Sequence, residues 1–256
     1  MKTIISVFLV IVCLLSVESA ATPIYGTVTM SFSGFGAKDV MRIWGGSHNG
    51  LDVYAGVYMF NKTAGTGQGQ YLDNGFIGGF CMDLSEYIAP GSLIYDVLMP
   101  QHGPRPTSFL GEAMGQAKAA YLAELWGRFY DPAWSAGGSY TSQQNSNAEA
   151  FAASVWEIIY EDLPASPLSW DVTTDGTVGG KGFKAANLDY QTANSWLHVL
   201  NGTGPMADSR SLSYVGSQDF LVAVQNQSAI PEPASLAFAV FGFLLVVRKK
   251  ISASNV

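Results

Sequence analysis

Charge is scarce in this chain, and so are the residue types from which cofactor sites are built. Only 13% of the 256 residues are charged, and there are two cysteines and three histidines. His48, His102 and His198 are far apart and sit in no ligand-spaced pair, so spacing gives no metal site and implies no cofactor. Cys13 lies inside the first apolar run and leaves with it if that run is cleaved. Cys81 is then alone, which excludes an internal disulfide. Lysine and arginine total 13 against 20 acidic residues, and without the two ends the body carries 9 against 19, near −10. Such a body lacks the basic footprint of a nucleic-acid ligand. Long apolar stretches are confined to the two termini, so part of the 48% hydrophobic content belongs to them and not to a core.

The N-terminus has Lys2, an apolar run from Ile4 to Val17, then Ser19, Ala20 and Ala21. A basic start, a short apolar core and small residues at its end are the parts of a secretory signal peptide, here residues 1–21, cut after Ala20 or Ala21. The C-terminus has Pro231-Glu232-Pro233, an apolar run from Ala234 to Val247, then Arg248-Lys249-Lys250. Fourteen apolar residues span roughly 21 Å as a helix, short for a bilayer unless the flanking basic residues snorkel and the membrane thins. The basic triplet stays cytoplasmic by the positive-inside rule, which puts the body outside and agrees with the signal peptide. Two prolines keep the segment before the helix extended.

This tail resembles the PEP-CTERM sorting signal of bacterial envelope proteins, carried by Pro231, Glu232 and Pro233, the apolar stretch, and Arg248, Lys249 and Lys250 as membrane stop. The resemblance implies handling by signal peptidase and then by an exosortase. It implies an inner-membrane intermediate held by a transmembrane helix, and delivery to the cell surface or extracellular matrix. The chain then divides into a signal peptide (1–21), an extracytoplasmic domain (22–224), a linker (225–230), the sorting signal (231–250) and a cytoplasmic tail (251–256).

Within the domain, alternation of apolar and small polar residues predicts strands over 24–35, 51–60, 76–84, 92–99 and 214–224. Gly45-Gly46 and the Gly65, Gly67, Gly69 group read as turns. A helix is expected over 112–130, with Met114, Ala117, Tyr121, Leu125 and Phe129 on its apolar stripe. A second, over 148–161, starts from a capping box at Ser146 to Glu149 and presents Ser154, Glu157 and Glu161 as its polar face. Residues 170–185 read as a hairpin turning at Asp175-Gly176, and 188–200 as a helix capped by Asn187, with Gly202 beyond its end. The fold class is α+β: a β-sandwich or partial β-barrel with two to three packed helices.

Phe80-Cys81-Met82-Asp83 and the helix segment Phe151 to Ile158 resemble thioester-domain-like proteins. Active members join a cysteine thiol to a glutamine four residues before the helix tryptophan. That position here is Ala152, so the resemblance implies the fold and argues against the covalent bond. Gln143 and Gln144 lie too far upstream to replace it. Cys81 remains the weak candidate for a catalytic nucleophile, against a small buried apolar side chain. Glu157 and Glu161, one turn apart, could pair carboxylates for acid–base work, but they read as an ordinary solvated helix face. Asp171 to Gly176 matches only part of a calcium loop, with Thr173 at its third position and Gly182 at its twelfth, and reads as a turn. Gly65 to Gly69 lacks the context of a phosphate loop. Trp44, Tyr54, Tyr58, Tyr121, Trp126, Trp134, Trp156 and Trp196 either fill the core or line a glycan-binding face. The expected role is structural or adhesive, without catalysis. The alternative is a carbohydrate- or surface-binding adhesin with a specific ligand site, followed by a Cys81-dependent enzyme, and extracellular polysaccharide is the candidate partner.

Overall fold

The computed structural model describes residues 22–46, 48–105, 110–175 and 182–224. The signal peptide, the linker, Pro231 to Pro233, the apolar tail and Arg248 to Lys250 lie outside the described residues. No helix among the described residues is long and apolar enough to cross a membrane.

Among the described residues, seven antiparallel strands and three α-helices make an α+β fold. Strands β1 (Gly26–Gly45) and β2 (His48–Gly67) form one long hairpin, paired from Gly45↔His48 to Gly26↔Gly67. The sheet continues through β3 (Gly75–Cys81), β4 (Ser92–Leu98), β5 (Phe183–Ala186), β6 (Ser209–Tyr214) and β7 (Ser217–Ala223). The strand order is β2-β3-β7-β6-β4-β1-β5, and β1 also pairs with β2, so six strands close on themselves. The first half of β1 pairs with β4 (Val28↔Tyr95), while its far end carries β5 (Ile43↔Ala185). Closure removes most free edges, the usual liability of antiparallel sheets.

Four irregularities of register bend the hairpin, as bulges do. Its open end explains the glycine group, which leads into a turn as expected and also allows close packing. Gly65 and Gly67 are in β2 and Gly69 follows in a short 3-10 turn. A Cβ at Gly67 would stand 2.2 Å from the Tyr25 carbonyl, and one at Gly69 2.1 Å from that of Thr27. The expected strand over 214–224 is β7, and it is preceded by a strand not expected, β6, which joins it at Val215-Gly216.

Helix α2 (Ser142–Tyr160) is buried on every face from Ala148 to Tyr160. It packs against β1 and β2 on one side and against α1 (Gly115–Phe129) and α3 (Tyr190–His198) on the other. It starts six residues before the expected position. The capping box is Thr141 with Gln144: Thr141 Oγ1 accepts from Gln144 N at 3.2 Å, and Thr141 N donates to Gln144 Oε1 at 2.9 Å. In α1 the buried positions are Ala119, Leu122, Leu125 and Trp126 with Glu124, a stripe offset from the expected one. Glu124 stays charged inside: burial works against it, but N–H groups of Asn201 and Gly202 and the Arg128 guanidinium outweigh burial and lower its pKa. Asp189, not Asn187, caps α3, its Oδ1 accepting from Thr192 N at 3.1 Å.

On the helix side of the barrel Phe80, Trp126, Tyr130, Trp134, Phe151 and Trp196 form one aromatic cluster, with Phe80–Phe151 and Trp126–Tyr130 centroids both 4.5 Å apart. Such offset and edge contacts add to the area buried.

Candidate functional site

Toward the β1–β2 turn, the sheet leaves a cleft of about 440 Å³. One wall is the hairpin's distal half, with Phe35, Ile43, Leu51, Tyr54 and Tyr58. The other is the segment following β3, with Leu84, Glu86, Tyr87 and Ile88; Trp156 and Gln218 close it. Phe35 packs against Tyr58 at 5.0 Å and Tyr54 at 5.4 Å between centroids. The Lys38 ammonium sits 3.3 Å from the centroid of Tyr54, a cation–π contact. His48 meets Tyr87 edge-on at 6.4 Å. Tyr54 and Tyr87 are 52% and 72% exposed, so the mouth of the cleft is aromatic and open to solvent.

The segment bearing Glu86 and Tyr87 has no secondary structure of its own. It is held by the start of β7: Ala89 N donates to Ser217 Oγ (3.0 Å), Gln218 N to the Tyr87 carbonyl (3.2 Å), and Gln218 Nε2 to the Asp83 carbonyl (3.2 Å). These bonds fix a loop that would otherwise be free to move, and with it one wall of the cleft.

Cys81 lies behind this wall. It is 1% exposed, its thiol donates to the Asp83 carbonyl at 3.1 Å, and burial, with the nearby Asp83 carboxyl adding to it, pushes its pKa up. Hydrogen bonding from the Trp156 indole and from the backbone of Asp83 pulls the other way without reversing the shift. A thiolate, the form that attacks, is disfavoured here. Around Cys81 the buried polar groups are acids. Asp83 takes the Ser85 N–H at 2.7 Å, while burial raises its pKa. Asp219 takes the backbone N–H of Arg105 at 2.6 Å, and burial pushes its carboxyl up to about 8. Neither His102 nor His198 lines the cleft; His198 Nε2 is bonded to the Trp170 carbonyl at 2.8 Å. Ala152, at the position of the thioester glutamine, is buried and has no group that could acylate a thiol.

Two expectations are corrected on the neighbouring face. Glu157 and Glu161 do not form a solvated stripe: they are 2% and 4% exposed, because the Trp170 loop and β5 cover that side of α2, with Phe183 N donating to Glu161 Oε1 at 2.7 Å. Glu157 Oε1 accepts from Asp171 N at 3.1 Å, and its Oε2 is enclosed without a hydrogen-bond partner. Burial first, then the Glu161 charge, raises its pKa to about 9. Ser154 is likewise buried, bonding back to the Ala150 carbonyl at 2.9 Å. The segment from Trp170 is no hairpin arm either. Asp171 folds it into a tight turn by accepting from Thr173 N (3.0 Å) and Asn194 Nδ2 (2.8 Å); β5 forms its ladder with β1, and a single backbone bond, Ala185 N to the Val172 carbonyl (2.7 Å), joins the two expected arms. Gly176 lies outside the described residues. Among the described residues, no three His, Cys, Asp or Glu side chains are arranged to hold a metal ion.

Of the aromatic residues singled out from the sequence, Tyr54, Tyr58 and Trp156 line the cleft, whereas Trp126, Trp134 and Trp196 belong to the core cluster. Trp44 lies under the Lys184 ammonium at 4.9 Å, and Tyr121 packs on Trp170. Phe35, His48, Glu86, Tyr87 and Gln218 were not legible as site residues. The one signal present was an acid and a tyrosine side by side just before Pro90, in a stretch too short to be an element. No family model matches the chain, and neither a characterised protein nor a solved structure matches it significantly.

Proposed function

We propose that the protein is exported and sorted by an exosortase through Pro231, Glu232 and Pro233 to the cell surface or extracellular matrix, where its barrel acts as an adhesive module that binds a glycan. The observation that carries the binding reading is the cleft: aromatic, open, and walled by a loop tied down at three points. Flat apolar rings at the mouth offer faces on which a sugar ring stacks. Asp52, His48, Glu86 and Gln218 offer polar atoms for its hydroxyls. The sealed Cys81 supports binding over covalent catalysis, since its thiol is both unreachable and held protonated.

Glycan-array binding by the wild type and by a Tyr54→Ala, Tyr87→Ala double variant tests this. Both residues are exposed, so the fold should survive their removal. The expected result is a defined set of glycans bound by the wild type and lost in the variant. Equal binding by the two proteins, or none by either, overturns the reading.

A further inference from the structure

Most cations of the described residues are used inside the protein. Arg105 pairs with Asp96, Arg128 with Glu124 and Arg210 with Asp208. Lys62 and Lys118 donate to the carbonyls of Leu72 and Ile159. Lys38 and Lys184 differ. Among the described residues neither ammonium has a hydrogen bond or an ion pair; Lys38 rests on the rings of Tyr54 and Phe35, and Lys184 on that of Trp44. Neither nitrogen is sealed from solvent. Each therefore keeps donors that a ligand can use.

Both lie on one face of the sheet. Residues opposite one another in a ladder point the same way, and the direction alternates along each strand. Val40 stands opposite Tyr54, Arg42 opposite Asp52 and Ala186, and Trp44 opposite Lys184. Lys38, Arg42 and Trp44 of β1 thus share a face with Asp52 and Tyr54 of β2 and Lys184 of β5. Met41, Ile43 and Ala55 point the other way and are buried against α2. The shared face is open: Val40 and Tyr54 are exposed, and so are Arg42 and Asp52.

The face holds three cations against one acid. Asp52 takes Arg42 through two bonds of 2.7 and 2.9 Å, so the two ammonium groups are the charges left over. Burial lowers the Lys38 pKa, and Asp39, which points to the other face, opposes this only in part. From Lys38 to Trp44 the strand runs about 20 Å, so the charges are strung out in a row and not gathered around one small anion. Rings hold the ammonium groups in place, which reduces the ordering cost of binding. Two spare charges on a body near −10 are too few to hold an anionic membrane, but they fit a stiff polymer with a carboxylate on each sugar.

We propose that this face binds an acidic polysaccharide, its carboxylates seated on Lys38, Arg42 and Lys184 along β1. This is a second surface beside the cleft, and it does not depend on glycan binding there.

The test uses the mature protein purified from its native envelope and two α-1,4-linked galacturonate oligomers of equal length, one with free carboxylates and one fully methyl-esterified. Titration calorimetry should show the free acid bound about tenfold tighter than the ester, with a preference that shrinks as salt is raised. Lys184→Gln should weaken binding of the free acid about fivefold, and Lys184→Arg should retain it. Equal affinity for the two oligomers, binding of neither, or a preference that Lys184→Gln leaves intact overturns the proposal. Binding to phosphatidylglycerol vesicles in place of the oligomer also overturns it and assigns the face to a membrane. Neutral glycans on the array judge the cleft separately, so either surface can fail alone.

Discussion

Replacing Glu157 by glutamine should stabilise this protein, and by an amount that grows with pH. The glutamate is 2% exposed, one oxygen is bonded to Asp171 N, and the other has no hydrogen-bond partner. Its carboxyl has an ordinary value of 4.5 in the unfolded chain and about 9 in the fold, through burial and then the charge of Glu161. Between those values the folded state holds a proton that the unfolded state has released, so stability is greatest below the lower value and falls as pH rises toward the upper one. The slope for one such group is about 1.4 kcal/mol per pH unit. A glutamine keeps the acceptor for Asp171 N and carries no charge to bury, so this slope disappears from the variant. Urea titrations of wild type and Glu157→Gln at pH 5, 6, 7 and 8 should give a difference near zero at the acid end, widening at about that rate. A difference that does not change with pH, or a variant less stable throughout, would mean that Glu157 is ionised in the fold and would defeat the prediction.

Three further outcomes follow from the same geometry. Phe151→Ala opens the aromatic cluster at its centre and should cost about 3–5 kcal/mol in urea unfolding. Glu124→Ala leaves the N–H groups of Asn201 and Gly202 without their acceptor inside the protein and should cost about 3 kcal/mol or more. Its proton-linked part is lost on acidification, since the Glu124 pKa is lowered. Cys81 should react with an aromatic disulfide reagent only at the rate of unfolding; rapid labelling of the native protein, read by absorbance, would contradict the sealed position.

Part of the fold was legible where strands alternate between a buried and a less buried face. β1 shows it plainly, with Val28 and Met30 inward, and the helices over 115–129 and 190–198 fall within their expected ranges. Most of what failed comes from burial imposed by distant segments. Helix α2 shows a polar stripe in sequence, yet both of its sides are covered, so Glu157, Glu161 and Ser154 are interior residues. The Gly65 to Gly69 group was legible as a turn but not as a close approach of two backbones, because the same residue type serves both. Of the hairpin expected at 170–185 only one backbone bond, Ala185 N to the Val172 carbonyl, is present, because the Asp171 side chain on Thr173 turns the first arm out of strand geometry. The cleft was half visible. Tyr54, Tyr58 and Trp156 stood out as rings, but only the bonds from Ser217 and Gln218 bring Glu86 and Tyr87 to face them.

Sorting and glycan binding are tested together by following the protein in its native cells. Mass spectrometry of the matrix fraction and of the medium would be run for wild type and for the Tyr54→Ala, Tyr87→Ala variant. One mature mass is expected for both, lacking residues 1–21 and ending near Glu232, with the wild type held in the matrix and the variant shifted to the medium. An intact chain through Val256 would contradict the processing, and equal partition of the two proteins would contradict the binding.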